Sequence, residues 1–169
     1  MLANSIISRS GLFQALLLFV LALSFSACKD DAVDYRAKND QEIQDYFKAN
    51  NIDPATVVKT KSGLYYQKLE EGTGARVYAG DIASVHYKGT LLNGTEFDTS
   101  YDDNKPLEFK VGANPVQVVY GWDEGIRLMQ VGEKAVLYIP AYLGYGSSGR
   151  GPIPGNAVLK FEMQVVGVR

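Results

Sequence analysis

The stretch that decides the fold is Val118-Val119-Tyr120-Gly121-Trp122-Asp123-Glu124-Gly125-Ile126-Arg127-Leu128-Met129, and it contains the only tryptophan of the 169-residue chain. Trp122, Ile126 and Met129 are spaced i, i+4 and i+7, so they lie on one face of a predicted short helix. Gly132 is the predicted C′ residue of this helix. A helix this short is unstable alone in water, so we expect it to pack on a larger element. From this stretch alone Trp122 reads as a core residue, since large aromatic side chains are usually buried.

The chain on both sides of this helix has the pattern of strands separated by turns. We predict strands at residues 64–69, 82–92, 96–99, 107–111, 131–140 and 158–168. In the second of these, Ala83, Val85 and Tyr87 alternate with His86 and its neighbours, and the Asn93-Gly94 pair that follows is a strong turn signal. Several antiparallel strands and one helix predict an α+β fold, in which a curled antiparallel β-sheet wraps over one short helix.

Composition excludes several classes of function. The chain is 46% hydrophobic and 21% charged, which are values of a globular protein. A net charge of -2 argues against a nucleic-acid binder, which needs a basic patch. A single cysteine excludes an internal disulfide and a cysteine-based zinc site, and a single histidine argues against a histidine-rich metal site or a catalytic triad. We therefore expect neither a metal nor a cofactor.

Short segments that follow one another from residue 62 to the C-terminus carry a family pattern. They are Ser62-Gly63-Leu64-Tyr65-Tyr66, Val85-His86-Tyr87-Lys88-Gly89-Thr90-Leu91, Gly94-Thr95-Glu96-Phe97-Asp98-Thr99-Ser100, Gly121-Trp122-Asp123-Glu124-Gly125, Met129-Gln130-Val131-Gly132-Glu133-Lys134-Ala135, Ile139-Pro140, Leu143-Gly144-Tyr145-Gly146, Ile153-Pro154-Gly155-Asn156-Ala157 and Leu159-Lys160-Phe161. In this order they resemble the FK506-binding-protein (FKBP) type of peptidyl-prolyl cis-trans isomerase. The first segment resembles the entry strand of bacterial members with an N-terminal helical extension. The resemblance implies an FKBP-like fold and an isomerase that rotates X–Pro bonds in an apolar pocket, without covalent catalysis.

The resemblance also implies which residues form the site. The implied catalytic residues are Tyr87, Phe97, Asp98, Trp122 and Tyr145. The implied substrate-binding residues are Leu107, Val118, Val119, Ile153 and Phe161. By the same resemblance, Trp122 is the floor under the proline ring and Ile153 caps the site. The Val119 N–H and the Tyr145 hydroxyl are expected to hold two substrate carbonyls.

Two departures from the family pattern leave an alternative open. Leu107 stands where an aromatic side chain is frequent, and Asp103 replaces a basic residue that commonly partners Asp98. The alternative is a non-catalytic peptide-binding or chaperone module of the same fold. For Asp98 itself, the alternative to a role in the site is to brace a loop. In either case the implied partners are proline-containing polypeptides, and macrolide-type inhibitors are implied as ligands. His86 is expected to be a structural hydrogen-bonding residue rather than a base.

The first 27 residues are predicted to be a secretory signal peptide. Arg9 is the only charge before Cys28, and residues 11–23 are apolar with one exception. That run is short for a membrane helix, which needs about 20 residues. The segment Leu23-Ser24-Phe25-Ser26-Ala27-Cys28 resembles the lipobox of bacterial lipoproteins, in which the cysteine is lipidated and becomes the first residue. The alternative is an ordinary signal peptide that is cut near Ala27.

A helix is predicted to precede the main domain. It begins at Asn39 or Asp40, either of which can cap it, and runs to about Ala49. Its apolar residues are Ile43, Tyr46 and Phe47, which form one narrow stripe. The stripe docks on the main domain or on a second copy. Docking within the chain is preferred, and a monomer and a weak dimer both remain open.

The predicted organisation has three parts. They are a signal peptide at residues 1–27, a lipidated tether and short helix at residues 28–55, and an FKBP-like isomerase domain at residues 56–169. Residues 29–38 of the tether are polar and without a period, so we expect them to be flexible. The protein is expected to be exported and anchored through a lipid on Cys28 to a bacterial membrane, the outer membrane. Lys29-Asp30-Asp31 resembles a surface-export signal of Bacteroidota lipoproteins, which leaves periplasmic and surface-facing orientations open.

Overall fold

The protein is described from a computed structural model, which covers residues 34–169. The elements, in chain order, are α1 (Tyr35–Ala49), β1 (Val57–Lys59), β2 (Tyr65–Glu70), β3 (Ile82–Leu91), β4 (Glu96–Thr99), β5 (Leu107–Lys110), α2 (Tyr120–Ile126), β6 (Lys134–Ile139) and β7 (Leu159–Val168). Short 3₁₀ helices lie at Pro54–Thr56 and Ala141–Leu143. The predicted signal peptide and Cys28 lie outside the described residues.

All seven strands form one antiparallel sheet in the order β1-β2-β6-β7-β3-β4, with β5 also paired to β3. Strand β3 organises it, because β7 follows it along its whole length while β5 and β4 share its other edge. Register shifts at Ser84/Val85 and Gly89/Thr90 act as bulges, which bend a strand and increase its twist. The predicted α+β fold, a curled antiparallel sheet over a short helix with a helical N-terminal extension, is confirmed.

Helices cover both faces of the sheet, and strand β6 shows this most clearly. Ala135, Leu137 and Ile139 belong to the core around α2, whereas Val136 and Tyr138 belong to a second cluster under α1. Successive side chains of a strand point to opposite faces, so the two helices lie on opposite sides of β6. Because both faces of β6 are buried, its sequence must be apolar at successive positions rather than at every second one.

At two positions helix α2 contributes no side chain to its contact with β6, so its backbone lies directly on the side chains of Ile139 and Leu137. A Cβ atom added to Gly121 would lie 2.5 Å from Cγ2 of Ile139, and one added to Gly125 would lie 2.4 Å from Cδ1 of Leu137. Glycine is the residue that permits such a close backbone approach. The indole of Trp122, between these glycines in the sequence, is held at a fixed height above the sheet.

The predicted end of α2 at Gly132 is wrong. The helix ends at Ile126, and Arg127 caps it with an N–H bond to the Gly125 carbonyl. The chain then turns, with the Met129 N–H bonded to the Ile126 carbonyl at 3.1 Å. Met129 is still buried, so its helical spacing predicted its burial but not its conformation. Because this turn continues through Gly132, strand β6 begins at residue 134 rather than at 131.

Helix α1 begins earlier than predicted. Oδ1 of Asp34 accepts a hydrogen bond from the Arg36 N–H at 3.0 Å and caps the helix, so residues 35–38 are helical rather than part of a flexible tether. Asn39, one of the two predicted caps, lies buried inside the helix. The predicted apolar stripe docks on the chain's own sheet, as preferred, where Phe47 packs edge-on against Tyr138 with ring centroids 4.8 Å apart.

Within residues 34–169, no helix combines the length and the apolar character that crossing a bilayer requires.

Candidate active site

A cleft of about 660 Å³ opens beside α2, on the side of the sheet that this helix covers. All ten residues that were predicted for the site line it. They are Tyr87, Phe97, Asp98, Leu107, Val118, Val119, Trp122, Tyr145, Ile153 and Phe161. They come from β3, β4, β5, the entry to α2, α2 itself, the loop after β6, and β7. The sheet and the helix thus bring together residues that are up to 74 positions apart in the chain (Tyr87 and Phe161).

Aromatic rings form the floor and the inner walls of the cleft. The indole of Trp122 is buried, and the rings of Tyr87 and Phe161 meet it edge-on at centroid distances of 4.9 and 5.1 Å. Phe97 meets Phe161 edge-on at 5.5 Å, and Phe109 supports the indole at 5.9 Å. Edge-to-face pairs contribute about 0.5–1.5 kcal/mol each beyond their burial. The cup is therefore apolar and stiff before any ligand enters it.

Tyr87 and Asp98 form the polar edge of this cup. The Tyr87 hydroxyl donates a hydrogen bond of 2.7 Å to Oδ2 of Asp98. Burial raises the pKa of Tyr87 well above its usual value, and the hydrogen bond to Asp98 raises that pKa further. The phenol is therefore neutral at physiological pH, and its one proton is used by Asp98. None of the ion pairs among the described residues involves Asp98.

Two hydrogen-bond donors in the cleft have no partner among residues 34–169. The Val119 carbonyl accepts the Trp122 N–H at 2.9 Å and starts α2, but the Val119 N–H lies outside the helix ladder and donates to none of these residues. The Tyr145 hydroxyl is likewise unpaired in this range, while the Arg150 guanidinium lies 5.6 Å from the centre of its ring. A backbone N–H and a phenol beside an apolar floor are suited to two carbonyls of an extended peptide.

The sequence from residue 74 to residue 166 matches the family model described as FKBP-type peptidyl-prolyl cis-trans isomerase. The match covers more than half of the chain and contains all ten lining residues predicted above. The chain belongs to this FKBP-type isomerase family. The family predicted from the sequence is confirmed.

Individual proteins that are named as members of this family are also similar to the chain. The Aeromonas hydrophila protein named FKBP-type peptidyl-prolyl cis-trans isomerase FkpA is 42% identical over 138 residues, which are 82% of this chain and 48% of that protein. The chain thus spans about half the length of this relative. FK506-binding protein 2 of Aspergillus oryzae is 56% identical over 113 residues, 66% of this chain and 83% of that protein. The crystal structure of FkpA from Escherichia coli is similar with a TM-score of 0.69 at 34% identity, covering 98% of this chain and 75% of that one.

The FKBP cleft also has lining residues that the sequence did not single out as ligand contacts. They are Val116, Gln117, Tyr120, Gly144, Arg150, Gly151 and Pro152. Most of them adjoin a predicted residue, so proximity along the chain was the available signal. Gln117 adjoins Val118, and its side chain is also fixed by accepting the Lys110 N–H of β5 at 2.8 Å. Val116, Arg150 and Gly151 adjoin no predicted residue, so they had no such signal.

His86 is not part of the FKBP cleft lining. Its Nδ1 lies 3.0 Å from Oγ of Ser100, and its ring stacks on Tyr101 with centroids 4.9 Å apart. It is a structural residue of the β3–β4 region, as predicted. Within residues 34–169, no group of three His, Cys, Asp or Glu side chains is placed to hold a metal ion.

Proposed function

We propose that this chain accelerates the cis–trans rotation of X–Pro bonds in exported proteins, using the aromatic cleft and no covalent intermediate. The observation that carries the proposal is the buried Trp122 floor, ringed edge-on by aromatic side chains and flanked by unpaired donors at Val119 and Tyr145. Family membership supports the same reaction.

The physical basis of catalysis is the change in polarity as the bond turns. A planar X–Pro amide is conjugated and dipolar, and rotation through a barrier of about 18–20 kcal/mol removes that conjugation. The twisted amide is less dipolar than the planar one, so a water-poor apolar cup favours it relative to bulk water. The reaction transfers no proton to a distant group, which suits a site of rings and aliphatic side chains.

Each lining group has a part in this proposal. The proline ring rests on Trp122, between Tyr87, Phe97 and Phe161, and Leu107, Val118 and Ile153 enclose it. The Val119 N–H and the Tyr145 hydroxyl hold the carbonyls on either side, which fixes the geometry of the rotating bond. Asp98 positions the Tyr87 ring through their hydrogen bond. The same cup is proposed to bind macrolide-type inhibitors, which the name of the Aspergillus relative supports.

A refolding assay tests the activity. The full-length chain is added to a protein whose refolding is limited by X–Pro isomerisation, and a macrolide inhibitor is added in a parallel sample. We expect faster refolding that the inhibitor abolishes. Peptide binding without faster refolding would instead favour a non-catalytic binding or chaperone module of the same fold.

We further propose that residues 1–27 are a signal peptide and residues 28–55 a tether and helix, lipidated at Cys28, ahead of the isomerase domain at 56–169. The lipobox-like segment that ends at Cys28 supports this proposal. Cys28→Ser is expected to move the protein from the membrane fraction to the soluble fraction. Unchanged fractionation would contradict the anchor. Protease treatment of intact cells separates a surface-facing domain from a periplasmic one.

A further inference from the structure

Asn39 is a wholly buried polar residue of helix α1, and its side chain bonds to distant parts of the chain. Its Oδ1 accepts the Ala141 N–H at 2.9 Å, and its Nδ2 donates to the Asn156 carbonyl at 3.0 Å. Nδ2 also donates to Oε2 of Glu42, one turn further along α1, at 3.1 Å. A buried amide that lost such partners would leave backbone groups unsatisfied, so these bonds are expensive to break.

The two backbone groups held by Asn39 are the two ends of one segment, residues 141–156, which we call the roof. The Gly146 N–H bonds to the Ala141 carbonyl, and the Asn156 N–H bonds to the Gly146 carbonyl, both at 2.8 Å. The roof therefore closes on itself at its base. Its middle part carries Tyr145 and Ile153, which line the cleft.

A second contact joins α1 to the base of the roof. The Arg36 guanidinium lies 4.0 Å from the centre of the Tyr142 ring. The Tyr142 hydroxyl donates to the Ser62 carbonyl at 3.0 Å, and the Ser62 hydroxyl donates to Oε2 of Glu124 in α2 at 2.6 Å. The base of the roof is thus attached both to α1 and to the helix that carries the floor.

We propose that Asn39 is a positioning residue of the isomerase site, which sets the place of the roof over Trp122. This inference rests on the proposed isomerase function. Helix α1 lies outside residues 74–166, the segment that matches the family model, so the inference gives the N-terminal extension a role in the site itself. A displacement of about 1 Å in a group that holds the substrate can lower a rate up to about a hundredfold.

The test compares variants of one helix in the full-length chain. Asn39→Ala removes both tethers, and Asn39→Asp keeps an acceptor for the Ala141 N–H but has no donor for the Asn156 carbonyl. Gln44→Ala is the matched control, because Gln44 donates to the Tyr65 hydroxyl at 3.0 Å and so docks α1 on the sheet without touching the roof. The readouts are kcat/KM, measured where each variant is fully folded, and hydrogen exchange at the amides of Ala141 and Asn156.

For Asn39→Ala we expect at least tenfold faster exchange at both amides and a kcat/KM about tenfold lower. For Asn39→Asp we expect the Ala141 amide to stay protected, with an intermediate kcat/KM. The Asn156 amide, whose N–H bonds to the Gly146 carbonyl, should exchange faster because the Asn156 carbonyl has lost its tether to Asn39. Gln44→Ala should leave both readouts within about twofold of the wild type.

Several outcomes would overturn the inference. Asn39→Ala with wild-type exchange in the roof would do so, and so would equal kcat/KM losses in Asn39→Ala and Gln44→Ala. If Asn39→Ala does not fold, a fully active Asn39→Asp with wild-type exchange at Asn156 would have the same effect. An inactive wild-type chain would refute the proposed function instead, and exchange at the two amides would still show whether Asn39 holds the roof.

Discussion

At the scale of single residues, packing rather than hydrogen bonding sets the orientation of the central indole. Three aromatic rings contact Trp122, and its Nε1–H is the one buried side-chain polar atom in residues 34–169 with no hydrogen-bond partner. An unpaired buried donor costs free energy. Trp122 is therefore held in place by the apolar area that it buries and by the fit of its ring to its neighbours. A change in side-chain volume at this position should affect both the packing of the core and the binding of a ligand.

Trp122→Leu should separate these two effects when compared with Phe109→Leu, since Phe109 contacts the indole but does not line the cleft. We expect each variant to lose about 2–4 kcal/mol of unfolding free energy. Only Trp122→Leu should also lower kcat/KM by at least about tenfold, because it removes the floor. Urea titration and an isomerase assay measure the two quantities. Similar activity losses in both variants would show that the indole acts only through stability.

Tyr87 and Asp98 should behave as a coupled pair. Tyr87→Phe deprives Asp98 of its donor, and Asp98→Asn replaces the charged acceptor with a neutral one. Because hydrogen bonds to charged groups contribute about 1.5–3 kcal/mol, each single change should destabilise the fold measurably. The double variant should lose less than the sum, with a coupling of about 1 kcal/mol in a double-mutant cycle. Strict additivity would mean that the bond contributes nothing to stability.

Most of the cleft residues could be predicted from the sequence because they lie in or next to short segments that resemble the family pattern. Asn39 could not, because its partners Ala141 and Asn156 lie 102 and 117 residues further on. Buried Glu133, which accepts a hydrogen bond from the Tyr66 hydroxyl 67 residues away, was missed for the same reason. Buried polar pairs form between residues that only the tertiary fold brings together, so the periodicity of the sequence does not predict them.

At the scale of elements, the long strands were predictable and the ends of the helices were not. Strand β4 has the predicted bounds and β3 differs by one residue, because alternation and the Asn93-Gly94 turn mark them locally. Strand β1 was missed, since its three residues are mostly exposed and carry no apolar alternation. The start of α1 depends on the Asp34 cap, which competed with equally good capping residues at positions 39 and 40.

One glycine of β3 lets two walls of the cleft meet. A Cβ added to Gly89 would lie 2.6 Å from the Phe97 ring and 2.8 Å from the Phe161 ring. Gly89→Ala should therefore displace both rings and lower kcat/KM by about tenfold, with about 1–3 kcal/mol of overpacking cost. Gly167→Ala on neighbouring β7 is the control, because its Cβ would meet its nearest neighbour at 4.0 Å. Wild-type activity in Gly89→Ala would show that the rings adjust freely.

For the molecule as a whole, three half-buried or buried tyrosine side chains should make the folded state less stable at alkaline pH. Burial raises the pKa values of Tyr66, Tyr87 and Tyr138 above the ordinary 10.0, and hydrogen bonds to Glu133 and Asp98 raise those of Tyr66 and Tyr87 further. The unfolded chain therefore loses these protons at lower pH than the folded chain. The stabilisation is fully present below pH 10 and is lost as the pH rises through the folded pKa values.

We expect the unfolding free energy to fall above about pH 10, by up to about 1.4 kcal/mol per pH unit for each of the three protons. Urea titrations at pH 8 to 11.5 measure this slope. Tyr138→Phe removes one of these groups and should reduce the slope. A slope that is unchanged in this variant would assign the alkaline unfolding to other groups.

The contact of the α2 backbone with the side chains of Ile139 and Leu137, at Gly121 and Gly125, has a consequence for the range of sequences that the proposed isomerase would accept. A floor whose helix backbone rests directly on the side chains of the sheet has no slack, so it imposes one depth on every proline ring. Selectivity for the flanking residues then falls to the middle of the roof, residues 144–153, which carries Tyr145 and Ile153 over the cleft. Directed evolution toward new clients should accumulate changes there and leave the glycines of α2 untouched.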